Sequence, residues 1–147
     1  MASRFLSLPA LLKSRKFRIL EMIGDGNCFY RAVARAYHND EDFHLLVRQT
    51  LMNSILLDPT PYTAFFENEK RLRNLAAANK RPNVWNSDLA DIVPLGISNL
   101  LETRVEVYSV NDEDGGVSKF VFGEDFGGQP IRLVHKNGNH YDLLIKD

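Results

Sequence analysis

Cysteine is scarce in this chain, since Cys28 is the only one among 147 residues. One cysteine can form neither an internal disulfide nor a cysteine-rich zinc site, and this usage suits a reducing compartment. Long hydrophobic runs are also lacking, because no apolar stretch approaches the roughly 18–20 residues of a membrane span. The net charge is only −1, so no overall field attracts nucleic acid or an acidic membrane. The sequence therefore predicts neither nucleic acid nor a membrane as a partner.

The chain length suits one well-buried core. With 44% hydrophobic residues among 147, we expect a single domain over residues 1–147. Residues 1–20 carry five basic side chains and no acidic one, a composition that organellar targeting peptides share. The spacing of Phe5, Leu8, Leu11 and Leu12 favours instead a short amphipathic helix, loosely attached to the domain within residues 1–15.

The residues before Cys28 are typical of a tight turn. The sequence Gly-Asp-Gly-Asn occupies positions 24–27, where glycine reaches positive φ freely and Asp or Asn bonds its own backbone. After Cys28 the apolar residues recur at helical spacing. They are Phe29, Ala32, Val33 and Ala36. The pattern predicts that Cys28 lies in the first turn of a buried helix that reaches about residue 38.

A cysteine at a helix N-terminus is easier to ionise, because unpaired N–H groups and the helix dipole favour an anion there. The dipole contributes roughly 0.3–1 kcal/mol, which is less than one pKa unit at about 1.36 kcal/mol. A thiol pKa below about 7 therefore needs an imidazolium nearby. The alternative reading is that Cys28 is a small, unreactive core residue.

Helices are predicted in the first two thirds of the chain and strands in the last third. Residues 16–23 are predicted to form a short strand or an extended lead-in. Helical periodicity then covers residues 28–38, 39–57, 62–78 and 87–101, with Pro94 kinking the last helix or delaying its start. A period of two then marks residues 104–109, 117–122, 130–134 and 140–146. This order predicts an α+β fold, resembling a three-layer α/β arrangement, with a small, mostly antiparallel sheet packed between helices.

The last predicted strand supplies the missing histidine. His140 and Asp142 alternate with core-facing Tyr141, Leu143 and Ile145, so they share one face at about 6.5–7 Å along the strand. A carboxylate beside a histidine fixes its tautomer and favours its protonated form. His38, His44 and His135 have no such neighbour in sequence and are expected to be structural or exposed.

Two other site chemistries are weaker. A cysteine phosphatase needs an arginine six residues after its cysteine, and that position is Ala34. A metal site built from Cys28, His140 and Asp142 lacks any paired-cysteine or paired-histidine spacing. We therefore predict no metal and no other cofactor.

The motifs together resemble one family. Asp25-Gly26-Asn27-Cys28 at the head of a helix, with His140-x-Asp142 on a C-terminal strand, resembles the ovarian-tumour (OTU) family of cysteine proteases. The segment that begins at Trp85 and residues 104–108 and 130–133 are similar to that family's layout, and the resemblance spans residues 19–147. It departs after Trp85, where many relatives have Gly-Gly and this chain has Asn86-Ser87, which places the substrate-loop contacts in question.

The resemblance implies a papain-like OTU fold and a role for each matched residue. Cys28 would be the nucleophile, His140 the general base and Asp142 the residue that orients His140. Asp25, Gly26 and Asn27 would shape the oxyanion loop.

The implied activity is that of a deubiquitinase, which hydrolyses isopeptide bonds at the C-terminal Gly-Gly of ubiquitin or a ubiquitin-like modifier. The implied partners are ubiquitin, polyubiquitin chains or such modifiers, bound by a monomer. Acids for the arginines of the ubiquitin tail would come from Asp91, Glu102 or Glu106. A cytoplasmic protein, including a viral protein or a host-delivered effector, fits these expectations. The alternative is a non-catalytic ubiquitin-binding or protein-interaction module that retains the fold.

Overall fold

The computed structural model describes the backbone of residues 3–5 and 7–147 and the side chains of residues 7–147. In this part of the chain the helices are α1 (Leu8–Arg15), α2 (Cys28–His38), α3 (His44–Leu57), α4 (Glu69–Ala78) and α5 (Val93–Leu101). The strands are β1 (Ser3–Phe5), β2 (Phe17–Leu20), β3 (Val105–Val110), β4 (Val117–Phe122), β5 (Ile131–Lys136) and β6 (His140–Lys146). Phe5 therefore belongs to a strand and not to the expected N-terminal helix, and its side chain lies outside the described residues.

The six strands form one sheet in the order β1-β4-β3-β5-β6-β2. All neighbours are antiparallel except β3 and β5, which run parallel. The mostly antiparallel sheet and the α+β class that the sequence predicts are confirmed. β6 lies between β5 and β2, so both of its neighbours hold the backbone of the strand that begins with His140.

The sheet is covered on both faces. The larger core joins the inward faces of α2, α3, α4 and α5 to one side of the sheet, and it includes Tyr141 and Leu143 of β6. A smaller cluster on the other side contains Leu11 of α1 and Leu144 of β6. Successive residues of β6 therefore contribute to opposite faces, as strand geometry requires. Each face of the sheet is buried against helix, which gives three layers.

The expected helix over residues 62–78 is wrong, because the chain is interrupted there. A 3-10 helix covers Thr60–Phe65, and Phe66 is extended at φ −132° and ψ 159°. α4 begins only at Glu69, after Asn68 accepts a hydrogen bond from the N–H of Arg71 at 2.8 Å. An Asn cap satisfies a helix N-terminus that helical periodicity alone does not reveal. Phe65, at the end of the 3-10 helix, is 53% exposed.

The late start expected near Pro94 is confirmed. A short 3-10 helix at Ser87–Leu89 precedes α5, which begins at Val93 and has Pro94 in its first turn. Proline is tolerated there because the missing N–H would have no partner in the helix. None of the helices in the described residues is long and apolar enough to cross a membrane.

Candidate active site

The structure places Cys28 as the first residue of α2, at the end of the loop formed by residues 24–27, which we call the cysteine loop. The thiol is buried, with 4% of the residue exposed. Its Sγ accepts a hydrogen bond from the N–H of Tyr141 at 3.4 Å and lies 3.7 Å from the carbonyl oxygen of Asn139. The start of α2 is thus joined directly to the start of β6.

Burial raises the pKa of the Cys28 thiol. The N–H groups of Tyr141 and Phe29 oppose this effect, whereas the charges of Asp142 and Asp25 add to it. This direction is opposite to that of an activated thiol, whose pKa would lie below about 7. The physical reason is that desolvation penalises the thiolate more than two N–H groups stabilise it. A base must take the proton if Cys28 is to act as a nucleophile near neutral pH.

His140 and Asp142 form a close pair at the start of β6. Nε2 of His140 lies 2.6 Å from Oδ1 of Asp142, which is fully buried. The same Oδ1 accepts a hydrogen bond from the N–H of Met22 at 2.8 Å, and Oδ2 lies 3.1 Å from Nζ of Lys136. Burial opposes ionisation of Asp142, but Met22, Lys136 and His140 together outweigh it and hold the pKa of Asp142 below its ordinary value.

Cys28 and His140 line the same pocket, of about 320 Å³. Its other walls are Gly24, Gly26, Trp85, Asn137 and Asn139. Nδ1 of His140 faces Gly24, since it lies 3.7 Å from the position that a Cβ would take there. With Nε2 engaged by Asp142, Nδ1 is the ring nitrogen left for a reacting group.

Asp25 is held by its own loop and by α2. Its Oδ1 accepts a hydrogen bond from the N–H of Asn27 at 3.0 Å, and its carboxylate pairs with Arg31 at 2.8 Å. Although burial opposes ionisation, these bonds lower the pKa of Asp25 to about 2. The N–H of Asp25 itself donates to the carbonyl of Ile23 at 3.0 Å.

Two N–H groups of the cysteine loop are therefore engaged. They belong to Asp25 and Asn27. Within the part of the chain that the structure describes, Gly26 and Cys28 donate their N–H groups to no protein acceptor. Both residues line the pocket, so these two groups are the donors best placed for a developing oxyanion.

The cysteine loop packs against residues 79–86, which we call the tryptophan loop. The side chain of Asn27 is 1% exposed and bonds Asn83 twice at 2.7 Å, once as donor and once as acceptor. Gly26 has φ +83°, and a Cβ there would lie 2.6 Å from the carbonyl oxygen of Asn83. Only glycine fits this close approach.

Sequence reasoning missed three side chains that support the site: Lys136, Asn83 and Arg48. Lys136 reaches Asp142 because it pairs with His140 in the β5–β6 register. Asn83 lies in a polar loop, where no sequence pattern indicated that it would contact Asn27. Arg48 had a detectable signal, since it falls on the buried side of α3 with Val47, Leu51 and Ile55, where a charge requires several hydrogen-bond partners.

A second groove of about 290 Å³ lies beside the pocket, and Asp91, Phe120, Phe122, His135 and Tyr141 are among its walls. The ring of Tyr141 lies 5.6 Å from that of Trp85 and stacks on His135 at 4.6 Å. Aromatic side chains thus connect this groove with the pocket that holds Cys28.

The three expected acids have different surroundings. Asp91 lines the groove, and Glu102 caps the far end of α5. Glu106 is buried and pairs with Arg104, Arg132 and Lys119, so its charge is already neutralised. In the described residues, no group of three or more histidine, cysteine, aspartate or glutamate side chains could hold a metal ion.

Comparisons with known proteins agree on one family. Residues 23–141 match the sequence profile of the family described as OTU-like cysteine protease. The chain is 25% identical over 132 residues to the OVARIAN TUMOR DOMAIN-containing deubiquitinating enzyme 6 of Arabidopsis thaliana. The matched residues make up 90% of this chain but only 25% of that relative. The chain therefore spans about a quarter of the relative's length.

Solved structures show the same fold. The OTU domain of OTUD1 has a TM-score of 0.75 and 21% identity, over 93% of this chain and 91% of that one. The Hazara virus OTU bound to ubiquitin has a TM-score of 0.65 and 23% identity, over 88% of this chain and 80% of that one. At these identities the likeness is one of fold.

Proposed function

This chain belongs to the OTU-like cysteine protease family, and from that premise we propose that it is a deubiquitinase. It would hydrolyse the isopeptide bond after the C-terminal Gly-Gly of ubiquitin or a ubiquitin-like modifier. The observation that carries the proposal is that Cys28 and the His140–Asp142 pair meet at one pocket. The names of the relatives support the substrate class, since one is a deubiquitinating enzyme and one is bound to ubiquitin.

In the proposed reaction, Nδ1 of His140 takes the thiol proton as Sγ of Cys28 attacks the carbonyl carbon of the terminal glycine. The tetrahedral intermediate collapses, and the lysine amine leaves with the proton from His140. A thioester between Cys28 and ubiquitin remains. Water, deprotonated by His140, then hydrolyses it and restores the thiol. Asp142 holds the ring through Nε2 during both steps, which is an orienting role.

The oxyanion would be bound by the N–H groups of Gly26 and Cys28. Asp25 supports this arrangement indirectly, because its carboxylate holds the N–H of Asn27 and the guanidinium of Arg31. The sequence predicts only that Asp25, Gly26 and Asn27 shape the oxyanion loop, and we assign the donor N–H groups to Gly26 and Cys28. Preorganised donors of this kind are each worth on the order of 10²–10³ in rate.

The ubiquitin tail would lie along the aromatic walls of Trp85, Tyr141 and His135. Its two glycines would lie next to Cys28, and Asp91, which lines the groove, would pair with a tail arginine. Asn86, which stands where many relatives have glycine, is the N-cap of the 3-10 helix at Ser87–Leu89 and accepts from the N–H of Asp88 at 2.9 Å. We infer a monomer that works in a reducing compartment, since the reaction needs a free thiol.

One observation favours a second function. The raised pKa of the Cys28 thiol is what a non-catalytic ubiquitin-binding module with this fold would tolerate. The deubiquitinase forms a covalent bond between Cys28 and ubiquitin, whereas the binding module forms none, so detection of a covalent adduct distinguishes the two functions.

The test is incubation with ubiquitin that carries a C-terminal electrophile, followed by intact-mass measurement. We expect one covalent adduct in the wild type and none in Cys28→Ala. Binding of ubiquitin without an adduct would support the non-catalytic module. Alkylation by small reagents in the absence of any ubiquitin adduct would reject the deubiquitinase.

A further inference from the structure

Arg48 lies in α3 beneath the cysteine loop and is fully buried. Its guanidinium donates hydrogen bonds to four oxygens: the carbonyls of Gly26 at 2.7 Å, Val84 at 2.8 Å and Asn79 at 3.1 Å, and Oδ1 of Asn27 at 3.1 Å. The guanidinium carbon also lies 4.3 Å from the centre of the Tyr30 ring. Among the described residues, no carboxylate forms an ion pair with Arg48. Backbone and amide oxygens therefore hold its charge.

The four acceptors belong to two separate loops. Gly26 and Asn27 are in the cysteine loop, whereas Asn79 and Val84 are in the tryptophan loop. Both loops supply walls of the pocket, since Gly26 and Trp85 line it together with Cys28. A planar guanidinium can serve acceptors in several fixed directions at once, which an ammonium cannot do.

We propose that Arg48 is a positioning residue that fixes the cysteine loop against the tryptophan loop for catalysis. By holding the carbonyl of Gly26, it sets the peptide plane between Gly26 and Asn27. The N–H groups of Gly26 and Cys28 flank that plane and are the proposed oxyanion donors. By holding the carbonyl of Val84, Arg48 also fixes the neighbouring Trp85, which lines the same pocket. Full burial keeps Arg48 away from the substrate, so it acts only through the loops.

This role rests on the proposed function, and a plain stabilising role is its rival. Arg48→Lys keeps the charge but cannot bridge four oxygens on two loops. Met52→Ala is the matched control, because Met52 is fully buried on the same helix and its side chain has no polar hydrogen to donate to either loop. Four quantities are measured for both variants and the wild type: kcat and KM on a fluorogenic C-terminal amide of ubiquitin, the iodoacetamide rate at Cys28, and Tm.

For Arg48→Lys we expect kcat to fall by about tenfold to a hundredfold, while the alkylation rate changes by less than about threefold, at a temperature where the protein is folded. Met52→Ala should lower Tm but keep kcat within about threefold. An activity loss in Arg48→Lys no larger than in Met52→Ala, at equal folded fraction, would overturn the proposal.

A second variant decides the matter if Arg48→Lys does not fold. Asn27→Ala removes one acceptor of Arg48 and both side-chain links to Asn83, and it should show the same loss of kcat with alkylation preserved. Unchanged kcat in Asn27→Ala would then overturn the proposal. If the wild type is inactive towards every ubiquitin substrate, the proposed deubiquitinase function itself is rejected, and the catalytic role of Arg48 is rejected with it. This outcome differs from an active wild type in which Arg48→Lys has no specific effect.

Discussion

Nε2 of His140 lies 2.6 Å from Oδ1 of Asp142, and this contact leaves Nδ1 of the same ring facing Gly24 beside the pocket of Cys28. Asp142 has no freedom to move with the ring, because it is fully buried and is also bonded to the N–H of Met22 and to Lys136. Because Met22 and Lys136 hold Asp142 in place, Asp142 can fix the orientation of the His140 ring. The first prediction follows from these bonds.

Asp142→Ala should lower kcat/KM by about tenfold to a hundredfold, or roughly 1.4–2.8 kcal/mol, because the ring loses its fixed acceptor. Asp142→Asn should lose less, since its amide oxygen can still accept from His140 and Met22. Its amide NH2 then faces the ammonium of Lys136, so adding Lys136→Met to Asp142→Asn should recover activity. Lys136→Met alone is the control. Equal kcat/KM in the wild type and Asp142→Ala would show that Asp142 does not orient the base.

The thiol of Cys28 should titrate above its ordinary value of about 8.5, because burial disfavours the thiolate. The iodoacetamide rate measured against pH should therefore keep rising through pH 8, more slowly than for a free cysteine. His140→Ala should leave this profile nearly unchanged and still abolish ubiquitin hydrolysis, since His140 is needed as a base in the reaction. An inflection below pH 7 that disappears in His140→Ala would instead reveal a preformed thiolate–imidazolium pair.

Asp25 should make stability depend on pH in the acid range. Its pKa of about 2 in the folded protein lies below the unfolded value near 3.8, so the carboxylate stabilises the fold above about pH 4 and loses this effect as pH falls towards 2. The free energy of unfolding, measured by urea titration for the wild type and Asp25→Asn, should differ most above pH 4 and converge near pH 2. In an Arg31→Met background the difference should shrink. A difference independent of pH would contradict the assignment.

Gly26→Ala should destabilise the protein by at least about 1–3 kcal/mol, because φ +83° is strained for alanine and its Cβ would lie 2.6 Å from the carbonyl oxygen of Asn83. Gly127→Ala is the matched control: it has no neighbour within 4 Å of the added Cβ, so its effect should stay within about 0.5 kcal/mol. The midpoint of urea unfolding measures both. Similar midpoints for the two variants would show that the loops do not pack this closely.

Local patterns in the sequence were sufficient for α2 and the last strands. Helical spacing after Cys28 and the period of two around Tyr141 each reflect one buried face, and the structure has α2 at Cys28–His38 and β6 at His140–Lys146, as predicted. The helix expected over residues 62–78 is wrong because the chain becomes extended at Phe66 and a new helix begins after the cap at Asn68. A cap changes the backbone without changing the periodicity of the apolar residues.

The candidate site was predictable only where its parts are close in sequence or unique. Cys28 is the sole cysteine, and His140 and Asp142 are two positions apart on one strand. Lys136 was not predictable because its contact depends on the β5–β6 register. Arg48 could be recognised as a charge on the buried side of α3, but its acceptors could not, because they lie on distant loops. The raised pKa of the Cys28 thiol was not predictable for a related reason, since burial depends on the whole fold.

The hydrogen bond from Tyr141 to Cys28 joins residues 113 positions apart, and the one from Met22 to Asp142 joins residues 120 positions apart. Synthesis proceeds from the N-terminus, so the cysteine loop leaves the ribosome long before the strand that carries His140 exists. During this interval the nascent chain has its nucleophile and lacks its base. Translation itself therefore delays the proposed protease activity until β6 has paired between β5 and β2.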